Sequence, residues 1–558
     1  MTLCTKPILT AAFIALQFHG ATAAETQADI NELAMRAGAP LFEGMGEHHH
    51  PISTGETDAQ RYFDQGMVLS FAFNHAESVR SFRAAQTLDP DCAMCLWGEA
   101  LALGPNINVT SNGKAIMGDD DRRAAHAAIQ KAAALSDNAS PRERDFIAAL
   151  ATRYNGDPST AREALDLAYL DAMRKLYATY PANDDAGALF AESIMNTMPW
   201  DYWLDAATPK PLAAEAIAIL EEILGRAPEH PLALHLYIHA VEASNKPERA
   251  EAAADRLADL VPGAGHLVHM PAHIYWRLGR YDDASEANIK AAAVDEAYIA
   301  ACNAQGFYPA MYYPHNIHFL WAASSMQGRS ELAIESARRV SANVSMEMIE
   351  LFPQVEFFHT IPLLSLTQFG KWDEILASPA PREDFEYSNG IWHYARAIAL
   401  TRQGNLQAAK KERELLSELK TATDVTFLDT LYYPATMLLE IAEALAAGEI
   451  ALSEGKSQEA IDQFSHAVAV QDELPYTEPP FWYYPTRHAL GRALLESDQL
   501  AEAEAVYRRD LELYPHNGWS MYGLIESLEA QGKDAREIKD HFAIAWQKAD
   551  VELSASQF

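Results

Sequence analysis

One recurrent element governs what this chain can fold into: a glycine turn followed by a helical segment rich in small residues. It occurs as GRYDDASEANIKAA from Gly279, GRSELAIESARRV from Gly328, GKWDEIL from Gly370, GNLQAAKKERELL from Gly404 and GKSQEAIDQFSHAV from Gly455. Related copies begin without glycine, as NHAESVRSFRAAQTLDP from Asn74 and DQLAEAEAVYRRDLELYP from Asp498. From Asp58 onward apolar residues recur at three and four, and Gly or Pro falls mainly at segment ends, which is the pattern of helices joined by short turns. No alternating strand pattern interrupts it, so the chain is expected to be all-α.

The glycines are spaced by 49, 42, 34 and 51 residues, an irregular period in which one interval equals the 34-residue tetratricopeptide unit. With Ala near the start of each second helix and Asp-Pro or Tyr-Pro at its end, the chain resembles a tetratricopeptide repeat protein with divergent, lengthened units. That resemblance implies a superhelix of antiparallel helix pairs, the first helix of each pair lining a concave wall and the second forming the back. First helices are expected near Cys92–Leu103, Ala186–Met198, Leu232–Ala243, His266–Leu278 and Pro314–Met326. YYP at Tyr312 to Pro314, Tyr432 to Pro434 and Tyr483 to Pro485 marks such starts, because proline at the first helical position loses no hydrogen bond.

Lys6, the apolar run from Pro7 to Phe18 and the small residues Ala21-Thr22-Ala23 read as an export signal over residues 1–23, predicting a periplasmic or secreted protein. No other run reaches the roughly 18 apolar residues of a membrane span. With 78 acidic against 43 basic residues, a net charge of −35, the surface repels nucleic acid and anionic lipid. After loss of Cys4, the cysteines Cys92, Cys95 and Cys302 allow one disulfide and one free or metal-bound thiol. The CxxC at Cys92 and Cys95 lacks a following His and reads as a structural link or buried thiols rather than a haem or redox motif.

Histidines carry the functional signal. His235/His239 in HLYIH, His269/His273 in HMPAH and His315/His318 in HNIH fall on three successive first helices, each pair three or four residues apart and so on one helix face. Six imidazoles converging on the concave wall would suit a transition metal, copper before zinc or iron, since the set lacks clustered thiolates and carboxylates. Three ligands to each of two metals would match the ligand count of the coupled dicopper sites of hemocyanin and tyrosinase. Glu99, Glu192 and Glu242 are the carboxylates expected nearby, as ligands or as groups fixing an imidazole tautomer. His75, His266, His49 and His50 are alternative ligands. His315 has a plainer reading, because YPHN recurs at Tyr514 to Asn517 as repeat punctuation.

Trp97, Tyr237, Tyr275, Tyr312, Tyr313 and Trp321 are expected to wall a groove for a small-molecule or peptide ligand, although repeat packing alone also uses such residues. HHPIST, DCAMCLWGEALALGPNIN, HLYIHAVEAS, GAGHLVHMPAHIYWRLGRY and YYPHNIHFLWAASSMQGR are similar to motifs of a family of exported bacterial tetratricopeptide proteins, over about Gly46 to Arg329. The resemblance implies the fold and export and assigns no activity. No phosphate loop, dinucleotide fingerprint, GxSxG elbow or HExxH occurs. The expected organisation is a segment over 24–57 with the histidine run, a histidine-rich half over 58–330 and a repeat tail over 331–558. Two uses remain: a metal centre, of which a copper-dependent oxidoreductase is one form, or a scaffold gripping a peptide or protein partner.

Overall fold

A computed structural model of the chain describes residues 27–110, 115–302 and 307–558; the leader expected over 1–23 lies outside them. The described chain is an all-α, tetratricopeptide-like superhelix of antiparallel helix pairs. The strands among the described residues are two-residue and three-residue pieces, Val109–Thr110 with Ala115–Ile116 and Trp203–Asp205 with Thr208–Pro209. No described helix is long and apolar enough to cross a membrane.

Burial separates the two helices of each pair. Every residue of Ala93–Ala102 and of Pro231–Val241 is buried, whereas Asp119–Ala134 and Pro211–Arg226 bury one stripe and expose the other. First helices, apolar all round, are therefore the inner layer and amphipathic second helices the outer one. The pairing is tight because aromatic rings of second helices sit on glycines of first helices. A Cβ on Gly98 would come 2.3 Å from the Phe82 ring, one on Gly448 2.4 Å from Phe464, and one on Gly523 2.1 Å from Tyr507.

Two departures from the expected array position the site. The segment expected as one helix over His266–Leu278 is broken at Pro271 into Gly265–His269 and Pro271–Arg277, because proline has no N–H for the helical ladder. The helix Tyr313–Met326 is preceded by a π-helical turn, Tyr308–Tyr312, a feature that often accompanies functional sites. The array also closes on itself. Trp519 donates its indole N–H to the Ser325 carbonyl at 3.0 Å, the Asp550 carboxylate accepts from the backbone N–H of Ser330 at 2.7 Å, and the segment around Glu478 reaches His273. The concave wall is thereby roofed into a cavity. Cys92 and Cys95 are joined by a buried disulfide at the start of Ala93–Ala102, and Cys302 is a partly buried free thiol.

Candidate metal centre

Six histidines meet inside the superhelix. His235 and His239 come from Pro231–Val241, His266 and His269 from Gly265–His269, His273 from Pro271–Arg277 and His315 from Tyr313–Met326. Nitrogens of His235, His239 and His266 lie within 4.8 Å of one another, as do those of His269, His273 and His315. The two triads abut, with ring centres of His239 and His273 5.2 Å apart and those of His266 and His269 5.7 Å apart. Five of the rings are at most 2% exposed.

Hydrogen bonds fix which nitrogen each ring presents. His235 Nδ1–H donates to the Phe71 carbonyl at 2.6 Å. Glu242 accepts from two rings, His239 Nδ1–H at 2.8 Å on one oxygen and His273 Nδ1–H at 2.6 Å on the other. Asn288 donates its amide N–H to the Ala284 carbonyl, so its amide oxygen must face His269 Nδ1 and accept from it at 2.7 Å. In their neutral forms these four rings therefore carry the proton on Nδ1 and leave a bare lone pair on Nε2. Backbone and carboxylate groups that lock histidine tautomers in this way are the usual support of metal-binding imidazoles.

The Nε2 atoms of His269 and His273 lie 2.9 Å apart. Two lone pairs at that distance repel unless a positive charge sits between them. Two nitrogens bound at about 2.05 Å to one metal at a right angle would be about 2.9 Å apart. The alternative charge is a proton. Burial lowers the basicity of His273, but the facing carboxylates of Glu242 and Glu478 override it and push its pKa up to about 9. Burial favours the neutral form of Glu242, yet the same imidazoles hold it well below the usual carboxylate range. Burial, reinforced by neighbouring imidazoles, pushes His235, His266 and His269 well below 6.5, so they are neutral at pH 7. Among the described residues neither nitrogen of His266 has a hydrogen-bond partner although the ring is buried, which is costly for a polar group with nothing to bind. The donor set, four Nε2 lone pairs and a buried bare imidazole, fits a transition metal.

The backbone around the cluster is strained. Phe73 (φ 57°), Trp200 (φ 64°) and Tyr432 (φ 62°) are three of five described non-glycine residues in the left-handed region. Phe73 occupies the turn position that later repeats give to glycine, and its ring lies 4.5 Å from His235. Trp200 stands edge-on to His239 at 4.9 Å, and Tyr432 lines the cavity beside the centre. Such conformations cost about 1–3 kcal/mol each and gather at functional sites.

The other residues singled out from sequence fall elsewhere. His318 does not join a triad. Residues at i and i+3 diverge by about 60° around a helix, against about 40° at i and i+4, and His318 instead stacks on Trp321 at 5.4 Å and touches Phe357 and Phe358. His266 takes the place expected for it. Of the three carboxylates expected nearby, Glu242 is the one that touches the clustered rings. Glu99 pairs with Arg83 at 2.7 Å, and Glu192 is buried where the Arg153 charge acts on it. His75 meets Asn106. His49 pairs with Asp64, and His50 donates to Asp185 at 2.6 Å. His48 and His230, the latter missed in the sequence, also face Asp185. This second cluster is a clasp: His230 Nδ1 accepts the Ala233 N–H that opens its helix, so its Nε2 carries the proton, donates to Asp185 and has no lone pair for a metal.

Of the expected wall, Tyr312 and Trp321 line the cavity. Trp97 packs in the core with its indole N–H on the Phe146 carbonyl. Tyr237, Tyr275 and Tyr313 turn their hydroxyls away to Glu221, Asp255 and Glu296. The cavity, of about 180 Å³, is lined by the imidazoles of His239, His266, His273 and His315 together with Trp200, Phe358, Tyr433 and Glu478. Glu478 had no sequence signal, because fold closure alone brings it 3.4 Å from His273.

Fold and site together define a class, a tetratricopeptide-like solenoid enclosing a polyhistidine cluster. No family model and no curated protein matches the chain. Among solved structures it is similar to the human IFIT1 dimer with m7Gppp-AAAA, at 14% identity and a TM-score of 0.32 over 89% of this chain and 91% of that one. It is also similar to the P58(IPK) TPR domain, at 13% identity and a TM-score of 0.23 over 88% of this chain and 98% of that one. The third is Naa15/Naa10 bound to HypK-THB, at 11% identity and 0.23 over 88% and 90%. Scores this low carry no functional argument.

Proposed function

We propose that this chain is a metal-binding helical-repeat protein whose centre is made by His235, His239 and His266 on one side and His269, His273 and His315 on the other. The observation that carries the reading is the locked tautomer set: Nδ1–H groups of four rings are donated outward, and their Nε2 lone pairs face inward. An all-imidazole donor set favours copper, with zinc and iron as the other candidates. Copper in such a set supplies one-electron redox chemistry, which makes an exported oxidoreductase or metal-handling protein the reading to test. Glu242 spans both triads and would hold their geometry when a metal enters or leaves.

Gripping a peptide or protein partner on the concave wall is the other use of this architecture. Closure of the wall by the segment around Glu478 supports the metal reading over it. The test is equilibrium dialysis of the full untagged chain against copper, zinc and iron, in parallel with a His269→Ala/His273→Ala variant. One or two equivalents retained by the natural chain, and at least one lost in the variant, support the centre. Equal retention in both would refute it.

A further inference from the structure

The cavity beside the histidines has a chemistry of its own. Its 180 Å³ compares with the roughly 150 Å³ of an engineered apolar cavity that holds benzene, so the enclosed part suits one ring. Trp200, Tyr312, Trp321, Phe357, Phe358 and Tyr433 supply its faces. Among the described residues no lysine or arginine lines it, and the charge on His273 already faces Glu242 and Glu478, so a carboxylate, sulfate or phosphate would find no unpaired counter-charge. Glu478 provides the one carboxylate of the lining. Its Oε1 accepts from the Tyr476 hydroxyl, and its Oε2, 3.4 Å from His273 Nδ1, is buried with no hydrogen-bond partner among the described residues. A buried carboxylate oxygen without a donor is costly and calls for one. Strained Trp200 and Tyr432 flank the same space.

We infer that this cavity is a binding site for a small neutral aromatic molecule carrying one hydroxyl, a phenol, whose ring packs among the aromatic faces and whose O–H donates to Glu478 Oε2. The inference rests on the cavity and on Glu478, and it stands whether or not the imidazoles hold a metal.

Phenol and toluene are isosteric probes that separate the alternatives. A purely apolar cavity prefers toluene, which is easier to remove from water, so only a specific acceptor reverses the order. Binding to the chelator-treated full chain is followed by calorimetry and by the tryptophan fluorescence of Trp200 and Trp321. Phenol should bind at one site, about two- to tenfold tighter than toluene, the factor that a hydrogen bond to a buried acceptor carries, and benzoate should not bind. Glu478→Met should abolish the preference while toluene still binds, which shows that the cavity is intact. Toluene binding the natural chain as well as phenol, benzoate binding comparably, or no saturable phenol binding would each overturn the inference. Because metal is absent throughout, failure here leaves the metal reading untouched, and failure of metal binding leaves this result standing.

Discussion

Glu242→Gln is the substitution that most searchingly tests how the centre is built. The carboxylate accepts Nδ1–H from His239 and from His273, one ring in each triad, while Arg277 donates to its backbone carbonyl and is untouched by the change. A glutamine of the same shape keeps one oxygen for one ring but turns an N–H toward the other, donor against donor. That second ring must move its proton to Nε2, which removes a ligand lone pair. Loss of a supporting partner of this kind costs about 10- to 100-fold in metal affinity, or roughly 1.4–2.8 kcal/mol. The variant also loses the larger of the two carboxylate influences, Glu242 before Glu478, that push the pKa of His273 up to about 9. At pH 7 the natural chain must displace about one proton when metal binds between His269 and His273, and the variant should displace fewer. Competition against a chromophoric chelator gives the affinity, and calorimetry in two buffers of different ionisation enthalpy gives the protons. Unchanged affinity and proton release in a folded variant would show that Glu242 does not orient the ligands.

His318→Ala should retain metal within about twofold of the natural chain, since that ring stacks on Trp321 outside both triads, whereas His266→Ala should lose at least one equivalent; elemental analysis of both variants decides. The metal-free protein should lose stability as pH falls below 6.5. His235, His266 and His269 have pKa values depressed by burial, and His75 is lowered to about 4. The unfolded chain then binds protons that the folded chain refuses. Each such histidine contributes stability that is present above 6.5 and fades by up to about 1.4 kcal/mol per pH unit below it; urea midpoints at pH 7 and 5 measure the slope. Gly98→Ala should destabilise the array by about 1–3 kcal/mol through overpacking on Phe82, read from chemical denaturation with metal content per folded chain unchanged.

The sequence reveals what is local. HLYIH and HMPAH are legible as clustered pairs because the i,i+4 spacing already puts both rings on one helix face. The glycine turns show the helix pairs for the same reason. The choice between His266 and His318 is not legible, since it depends on which face of each helix the packed array turns toward the neighbouring rings. Nor is the reach of Glu242 across two repeats, or the arrival of Glu478 from the far end of the chain, both products of superhelix closure. Tyr237 and Tyr275 mislead because a buried ring in an inner helix can still extend its hydroxyl to the outer layer, here to Glu221 and Asp255. The run at His48 to His50 is visible as a cluster, but only the position of Asp185 and the helix-opening bond to His230 show it to be a clasp.

X-ray absorption at the edge of the retained metal tests the central claim most directly, because it reads the ligand atoms themselves. The account predicts a first shell of about three nitrogens near 2.0–2.1 Å with the outer-shell scattering of imidazole rings, reduced in His269→Ala/His273→Ala. A first shell of oxygen or sulfur without imidazole scattering would contradict it.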